Sequence, residues 1–166
     1  MPTPRIRKSA VSVLVGCTVL VCCGRNPQSV ADYEVLVAVK RYNQALPTAY
    51  AKGSAGHLEG TATLAEMQRV DDIISFLAQG RMVMDARQET FEAGPVRNEG
   101  KGRASVDATE VWWYRHWNPA TGEVRQAARR VRYKDRFHCV KAEGRWLVDK
   151  LEELGSEKLS EDRTFK

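Results

Sequence analysis

The chain has few cysteines beyond its N-terminus, and this limits how its fold can be stabilised. Four cysteines occur in 166 residues, and Cys17, Cys22 and Cys23 all lie near the start. The rest of the chain keeps only Cys139, so it cannot form an internal disulfide. Its stability must therefore come from a packed core, and we expect Cys139 to be a buried core thiol.

The sequence also lacks the residue groups that mark metal sites and nucleophilic catalysis. Its three histidines, His57, His116 and His138, are scattered, and none has a partner at metal-ligand spacing. His138 and Cys139 are neighbours, but adjacent residues of a strand point to opposite faces and cannot form a dyad. We therefore expect no metal, no cofactor and no catalytic triad.

No apolar run is long enough for a comfortable membrane span, yet the N-terminus is organised like a secretory signal. A basic start is followed by an uncharged, mostly apolar stretch at residues 10–24, which is shorter than the roughly 20 residues of a spanning helix. We predict a leader at residues 1–23 and a short linker at residues 24–29. The net charge of +5 belongs partly to this leader, so nucleic acid is not an expected partner.

The cysteines of the leader indicate a lipid anchor. The tetrapeptide at residues 14–17, Leu-Val-Gly-Cys, resembles a bacterial lipobox, in which a small residue precedes the cysteine that receives diacylglycerol. Cleavage before Cys17 would leave an apolar segment, residues 18–21, at the start of the mature protein. Cleavage before Cys22 or Cys23 would remove more of the apolar stretch, but neither cysteine is preceded by the small residue that the motif requires. The prediction is attachment at Cys17 with those two as alternatives, against an ordinary cleaved signal or an uncleaved anchor.

The lipobox resemblance implies a location. The protein would be membrane-anchored on the periplasmic side of a bacterial cell envelope. Neither Thr18 nor Gly24, the residues that would follow the lipidated cysteine, is the aspartate that retains many lipoproteins at the inner membrane. The outer membrane is therefore slightly favoured in a Gram-negative cell.

Two helices are predicted after the linker. The first starts near Ser29 and is disturbed or ended by Pro47. The second begins with a capping box formed by Thr63 and Glu66 and ends at Gly80, which supplies a left-handed stop. Its expected buried stripe is made of Leu64, Met67, Val70, Ile74 and Leu77.

An antiparallel meander follows the helices. A strand over residues 81–91 leads into a turn-rich link over residues 94–102. A long hairpin turns at residues 119–122 and pairs Trp117 with Val124. A second hairpin turns at Glu143-Gly144 and aligns Cys139 with Val148 and His138 with Asp149. The domain spans residues 30–154, and the polar residues 155–166 are expected to be a disordered tail.

The register of the long hairpin separates two faces of the sheet. One face collects Ala108, Glu110, Trp112, Tyr114, Val131 and Tyr133. The opposite face carries a basic cluster, hereafter the basic face, made of Arg130, Arg132, Lys134 and Arg136. Such a face suits anionic lipid or an acidic envelope partner, and a merely solubilising surface is the equal alternative.

The order of elements, with the ending Ala-Glu-Gly-Arg-Trp-Leu-Val-Asp at residues 142–149, resembles the nuclear transport factor 2-like superfamily, also called the cystatin-like cone. The resemblance implies an α+β fold with two or three N-terminal helices on a curved antiparallel meander sheet. It says little about function, because that superfamily contains isomerases, dehydratases, adaptors and binding domains. The Trp-Trp-Tyr-Arg run at residues 112–115 is also similar to non-catalytic interaction modules of envelope proteins.

Glu110 is the main candidate for chemistry, since the register places it on the apolar face. Burial would raise its pKa and suit it to acid–base work, with Tyr42 and Tyr133 facing the same pocket. The favoured interpretation is an outward turn through a register error or bulge, or an ion pair with Arg129. In that case Tyr42 and Tyr133 are ordinary core lining.

These observations lead to one expectation and two alternatives. The sequence favours an exported, lipid-anchored, non-catalytic binding or scaffold domain. The alternatives are a small-pocket isomerase or dehydratase that uses Glu110, and a carrier of a hydrophobic small molecule. The sheet is also a candidate surface for a homodimer.

Overall fold

The computed structural model describes residues 27–161, and these form two α-helices packed on a four-stranded antiparallel sheet. The strands follow one another in chain order, so the predicted α+β meander is confirmed. The elements are α1 (Pro27–Lys52), a short 3-10 helix (Ala55–Leu58), α2 (Leu64–Gln79), β1 (Val83–Gly100), β2 (Arg103–Trp117), β3 (Val124–Ala142) and β4 (Arg145–Glu161). None of the helices in this part of the chain is long and apolar enough to cross a membrane. The predicted leader and its three cysteines lie outside the described residues.

The first helix is longer than predicted at both ends. It begins at Pro27, so the expected linker at residues 24–29 is wrong for its last three positions. Proline suits a first helical turn because its missing N–H would have no partner there. Pro47 does not end the helix, which continues to Lys52. Leu46 and Ala49 are buried on either side of it, so packing outweighs the one backbone hydrogen bond that the proline removes.

The second helix begins as predicted but differs in detail. The Thr63 hydroxyl accepts from the Glu66 backbone N–H at 3.4 Å, which is one half of the capping box. The Glu66 side chain is buried instead of reaching back to the cap. Leu64 is 83% exposed and does not join the stripe. Gly80 has φ −82°, so the left-handed residue after this helix is Arg81, at φ 53°.

The first hairpin was missed by the sequence interpretation. β1 runs through Gly94 and Pro95, where a link was expected, to pair with β2 up to Gly100. A register shift between Ala93 and Val96 accommodates the proline, which has no N–H to give to the ladder. The turn consists of Lys101 and Gly102 alone, both with positive φ (52° and 70°), as tight two-residue hairpins require.

The last strand is also longer than expected. Residues 155–161 were predicted to belong to a disordered tail, but they continue β4 to Glu161 and pair with β3. Because most of their side chains are polar, the sequence predicts a disordered tail here. Tyr133 and Lys134 lie opposite Ser156 and Gly155, so the pairing is supplied by the neighbouring strand rather than by apolar residues of this segment.

The register of the two predicted hairpins is mostly correct. Trp117 pairs with Val124, and Cys139 pairs with Val148 across the turn at Glu143-Gly144, whose φ values are 49° and 79°. The predicted pairing of His138 with Asp149 is wrong, because a register shift next to Cys139 sets His138 opposite Lys150. His138 instead contacts the Glu152 carboxylate at 2.9 Å.

The core lies between the helices and the inner face of the sheet. Phe137 is its central side chain, and its ring makes edge-on contacts with Tyr42 of α1 and Phe91 of β1. Cys139 is buried beside it, and burial raises the pKa of the thiol to about 12. The predicted core thiol is therefore confirmed, with no thiolate available for chemistry at neutral pH.

The central position of Phe137 predicts an unequal response to truncation. Phe137→Ala should lower the free energy of unfolding by about 3–5 kcal/mol, because it removes a ring that contacts both layers. Phe76→Ala is the matched control, since Phe76 is 70% exposed on α2, and should change stability by less than about 0.5 kcal/mol. Urea denaturation followed by tryptophan fluorescence measures both, and equal losses would contradict this description of the core.

Candidate functional site: a buried carboxyl pair in an apolar pocket

A pocket of about 290 Å³ opens between α1 and the inner face of the sheet. Its walls are mostly apolar and aromatic, and two carboxyl groups and one carboxamide lie among them. The lining residues are Asn43, Leu46, Tyr50, Met84, Ala86, Glu110, Trp112, Tyr114, Tyr133, Asp135 and Leu151. An apolar cavity with a few convergent polar groups is the usual form of a small-molecule site.

Glu110 points into the protein, as the predicted register requires. It pairs with Tyr133 on β3 and is only 1% exposed. The interpretation that was favoured from the sequence, an outward turn or an ion pair with Arg129, is wrong. Arg129 lies further along β3, opposite Tyr114 and Glu161. The irregularities of the β2–β3 ladder fall beyond Tyr114, so they leave the register at Glu110 intact.

Three neutral side chains donate hydrogen bonds to the Glu110 carboxylate. Asn43 Nδ2 reaches Oε1 at 2.5 Å from α1, and Gln88 Nε2 reaches the same oxygen at 2.9 Å from β1. Trp112 Nε1 donates to Oε2 at 2.8 Å from the same strand. Burial raises the pKa of Glu110, and the hydrogen bonds from these donors offset only part of that rise. The Glu110 carboxyl group is therefore buried, and none of its three donors is a cation.

Asp135 completes the pair and was missed by the sequence analysis. It is 4% exposed and hydrogen-bonded to Glu110. Burial and the negative charges of Glu110 and Glu153 raise its pKa to about 7. Burial raises the pKa of both carboxyl groups, and the three neutral donors favour the charged form of Glu110. Because side chains alternate along a strand, Asp135 lies on the same inner face as Tyr133. The signal was overlooked because Asp135 stands between two basic residues, Lys134 and Arg136.

Tyr42 does not converge on Glu110, as the alternative acid–base site would require, and it lies in the core, as the favoured interpretation expected. Its hydroxyl donates to Glu66 Oε1 at 2.7 Å in a second buried cluster, where Arg69 Nη1 also contacts Oε2 of Glu66 at 2.7 Å. Burial, followed by the charge of Glu66, raises the pKa of Tyr42 well above its usual value. Successive helical residues point about 100° apart, and it is Asn43, not Tyr42, that reaches the pocket.

Tyr133 does line the pocket. Burial and a hydrogen bond with Tyr114 raise the pKa of its hydroxyl. The Tyr133 phenol is therefore neutral at physiological pH. Tyr50, which projects from α1 one turn beyond Leu46, adds a third ring, and burial raises its pKa to about 12. Only one of the two predicted tyrosines, then, belongs to the site.

The basic face exists, but acidic partners share it. Arg130 contacts Glu89 at 2.7 Å, Arg132 contacts Glu157 at 2.6 Å and Arg136 contacts Asp107 at 2.7 Å. Lys134 lies between them, opposite Thr109 and Gly155. Mixed charge of this kind favours the interpretation of a solubilising surface, and binding of anionic lipid or an acidic partner stays a prediction.

A protein metal site ordinarily needs at least three ligating side chains close together. No cluster of histidine, cysteine, aspartate and glutamate in residues 27–161 could hold a metal ion. The carboxyl pair itself offers only two such groups.

Comparison with known proteins finds a likeness of fold. No protein-family model matches the chain, and no curated protein does. Among solved structures, the intermembrane-space region of the chloroplast protein ARC6 is 16% identical, with a TM-score of 0.63, over 79% of this chain and 98% of that one. A ketosteroid isomerase-like protein from Erwinia carotovora atroseptica is 16% identical, with a TM-score of 0.47, over 78% of this chain and 96% of that one.

A protein with a cystatin-like fold from Caulobacter vibrioides is 14% identical, with a TM-score of 0.43, over 76% of this chain and 91% of that one. At these identities the likeness concerns the fold alone. The predicted fold class, α+β with helices packed on an antiparallel meander sheet, is confirmed.

The raised pKa of Asp135 predicts how stability depends on pH. An unfolded aspartate titrates near about 3.9, whereas the folded protein holds this proton to a pH of about 7. The folded state binds a proton that the unfolded chain has released, so the contribution of Asp135 to stability falls as the pH rises through this window. Asp135→Asn gives Glu110 an N–H donor in place of the carboxyl O–H, and it removes the titrating carboxyl group.

The variant should therefore gain stability relative to the wild type as the pH rises from about 4 to about 7, and this advantage should level off above that range. Urea unfolding at a series of pH values measures it. Asp72→Asn, on the exposed face of α2, is the matched control and should run parallel to the wild type. An Asp135→Asn curve parallel to the wild type would show that Asp135 titrates normally.

Proposed function

We propose that the chain is an exported, lipid-anchored, non-catalytic binding domain of the bacterial cell envelope, and that the pocket beside Glu110 is its ligand site. The observation that supports binding over catalysis is the saturation of the Glu110 carboxylate. Three donors and the Asp135 carboxyl already contact it, and a carboxylate has about four lone-pair positions for hydrogen bonds.

A general base must reach the proton that it removes with a free lone pair. Glu110 has its acceptor positions occupied, and its exposed fraction is close to zero. Tyr42 contacts a different carboxylate, so only one of the two tyrosines considered for an isomerase-type site, Tyr133, shares the pocket with Glu110. The pocket is therefore suited to holding a molecule rather than to moving a proton on it.

Asp135 supports a second candidate function. Its pKa of about 7 is close to the value that a general acid or base needs at neutral pH, and it lines the pocket. An isomerase or dehydratase would then use Asp135 in place of Glu110. The third candidate, a carrier of a hydrophobic ligand, is supported by Leu46, Met84 and Leu151, which supply apolar walls.

Proton exchange separates binding from catalysis without knowledge of the natural ligand. Cyclohexanone and 3-hydroxybutyrate can be incubated with the protein in D₂O, and loss of their α-protons followed by NMR. A binding domain should give the same rate as buffer. Exchange that is abolished in Asp135→Asn, but not in the matched control Asp72→Asn, would replace the proposal with the acid–base alternative.

The anchor is supported by the sequence at residues 14–17 and by the start of α1 at Pro27, which leaves little chain between the lipid and the domain. The domain would then sit close to its membrane, with the basic face available to anionic lipid or an acidic envelope partner. A homodimer through the outer face of the sheet is the further arrangement that we propose to test, by sedimentation of the soluble domain.

Intact mass of the membrane-extracted protein tests the anchor. The wild type should carry a diacylglyceryl mass that is lost in Cys17→Ser and retained in Cys22→Ser and Cys23→Ser. Loss in one of the other two variants would move the site, and Cys139→Ser is the control, because that thiol is buried in the core. A soluble, unlipidated product would remove the support for a tethered domain.

A further inference from the structure

We propose that the pocket binds the ammonium group of a small organic amine, with Asn43 and Asp135 as its acceptors and the aromatic rings as its walls. The inference rests on the proposed binding function and specifies the class of ligand. It is drawn from the charge of the pocket, from one unpartnered buried atom and from the nature of the walls.

The pocket holds negative charge that the protein does not balance. None of its lining residues is a lysine, arginine or histidine. Glu110 receives hydrogen bonds from three neutral side chains. Burial and the neighbouring carboxylates Glu110 and Glu153 all disfavour the charged form of Asp135. Buried charges are ordinarily paired with an opposite charge. A cation from outside would supply that pairing.

Asn43 gives the second and independent indication. It is 3% exposed, and its Oδ1 has no hydrogen-bond partner among the described residues. Its Nδ2 is committed to Glu110, which fixes the carboxamide and leaves Oδ1 as the atom without a donor. An unsatisfied buried acceptor costs about 1–3 kcal/mol. The ligand that relieves this cost must donate an N–H or O–H.

An ammonium group meets both demands with one atom. It carries positive charge for the carboxyl pair and several N–H donors, of which one suits Asn43 Oδ1 and another suits Asp135. A ketone or a carboxylate would instead bring an acceptor toward an acceptor. The neutral alcohol of the same length can satisfy Asn43 but not the charge, so it is the discriminating comparison.

The walls fit the rest of such a ligand. Tyr50, Trp112, Tyr114 and Tyr133 present rings, whose faces attract organic cations. Leu46 and Met84 are apolar and suit a short alkyl chain. The volume of about 290 Å³ is at the lower end of known ligand pockets, so the amine should be small.

Titration calorimetry with the wild-type protein tests the inference. The probes are n-pentylammonium, 1-pentanol and pentanoate, which share a chain and differ in the head group. At a pH of about 8 the affinity for the ammonium should exceed the affinity for the alcohol by about tenfold, because a charge-assisted hydrogen bond contributes more than a neutral one. Pentanoate should show no binding.

The pH dependence provides an independent readout. Glu110 of β2 and Glu153 of β4 face Asp135, and both favour its protonated form. Tyr133, on the same strand as Asp135, has a raised pKa and is neutral. The ammonium must displace that proton, so its affinity should fall by about tenfold from a pH of about 8 to about 6. The alcohol needs no such release, and its affinity should stay constant.

Two variants complete the design. Asp135→Asn should remove the pH dependence and weaken the ammonium by about tenfold while leaving the alcohol unchanged. Asp72→Asn removes the same charge from the exposed face of α2 and should bind as the wild type does. Equal affinity for alcohol and ammonium would overturn the inference and leave an apolar binding site. Absence of binding by either probe would overturn the inference too, whereas α-proton exchange by the protein would overturn the proposed function itself.

Discussion

The pairing of β2 with β3 is the constraint on which the rest of the structure depends. Both strands are central in the sheet, and their ladder keeps one register from Arg103 to Tyr114. Side chains alternate between faces along a strand, so a slip of one residue would exchange the core for the solvent face. The observed register buries Phe137 and Glu110 together and leaves Arg136 outside. The core, the pocket and the basic face therefore all follow from one set of backbone hydrogen bonds.

Two buried carboxylates connect the helices to this sheet. Tyr42 and Asn43 are neighbours on α1, and each donates to a different one, Glu66 of α2 and Glu110 of β2. Glu66 also accepts from the backbone N–H of Leu151 on β4, at 3.3 Å. Hydrogen bonds to charged groups are stronger than those between neutral ones. These contacts therefore fix the position of α1 across the sheet, which apolar packing alone does not specify.

The two carboxylates differ in what balances their charge. Glu66 has the guanidinium of Arg69, and its cluster needs nothing further to be satisfied. Glu110 has neutral donors and an acidic neighbour, Asp135, which must hold a proton for the pair to stay buried. That arrangement is costly for stability, since like charges in a desolvated place oppose each other. It lies where the inner face of the sheet opens to a pocket, and this juxtaposition is the physical basis for assigning the pocket a ligand.

The sequence by itself determined the α+β meander and the two predicted hairpin turns, because hydrophobic alternation and turn chemistry are local properties. Alternation also placed Glu110 on the apolar face, but the favoured interpretation turned it outward, since a single strand pattern does not show what pairs with a buried carboxylate. It misplaced the ends of α1 and β4, where Pro47 and the polar residues 155–161 look like breaks and are held by the elements packed beside them. Only the tertiary structure decided which groups meet. Asn43 comes from α1, Gln88 from β1 and Asp135 from β3, and side chains so distant in the chain are brought to one carboxylate by the register of the sheet and the angle of a helix, which no local pattern encodes.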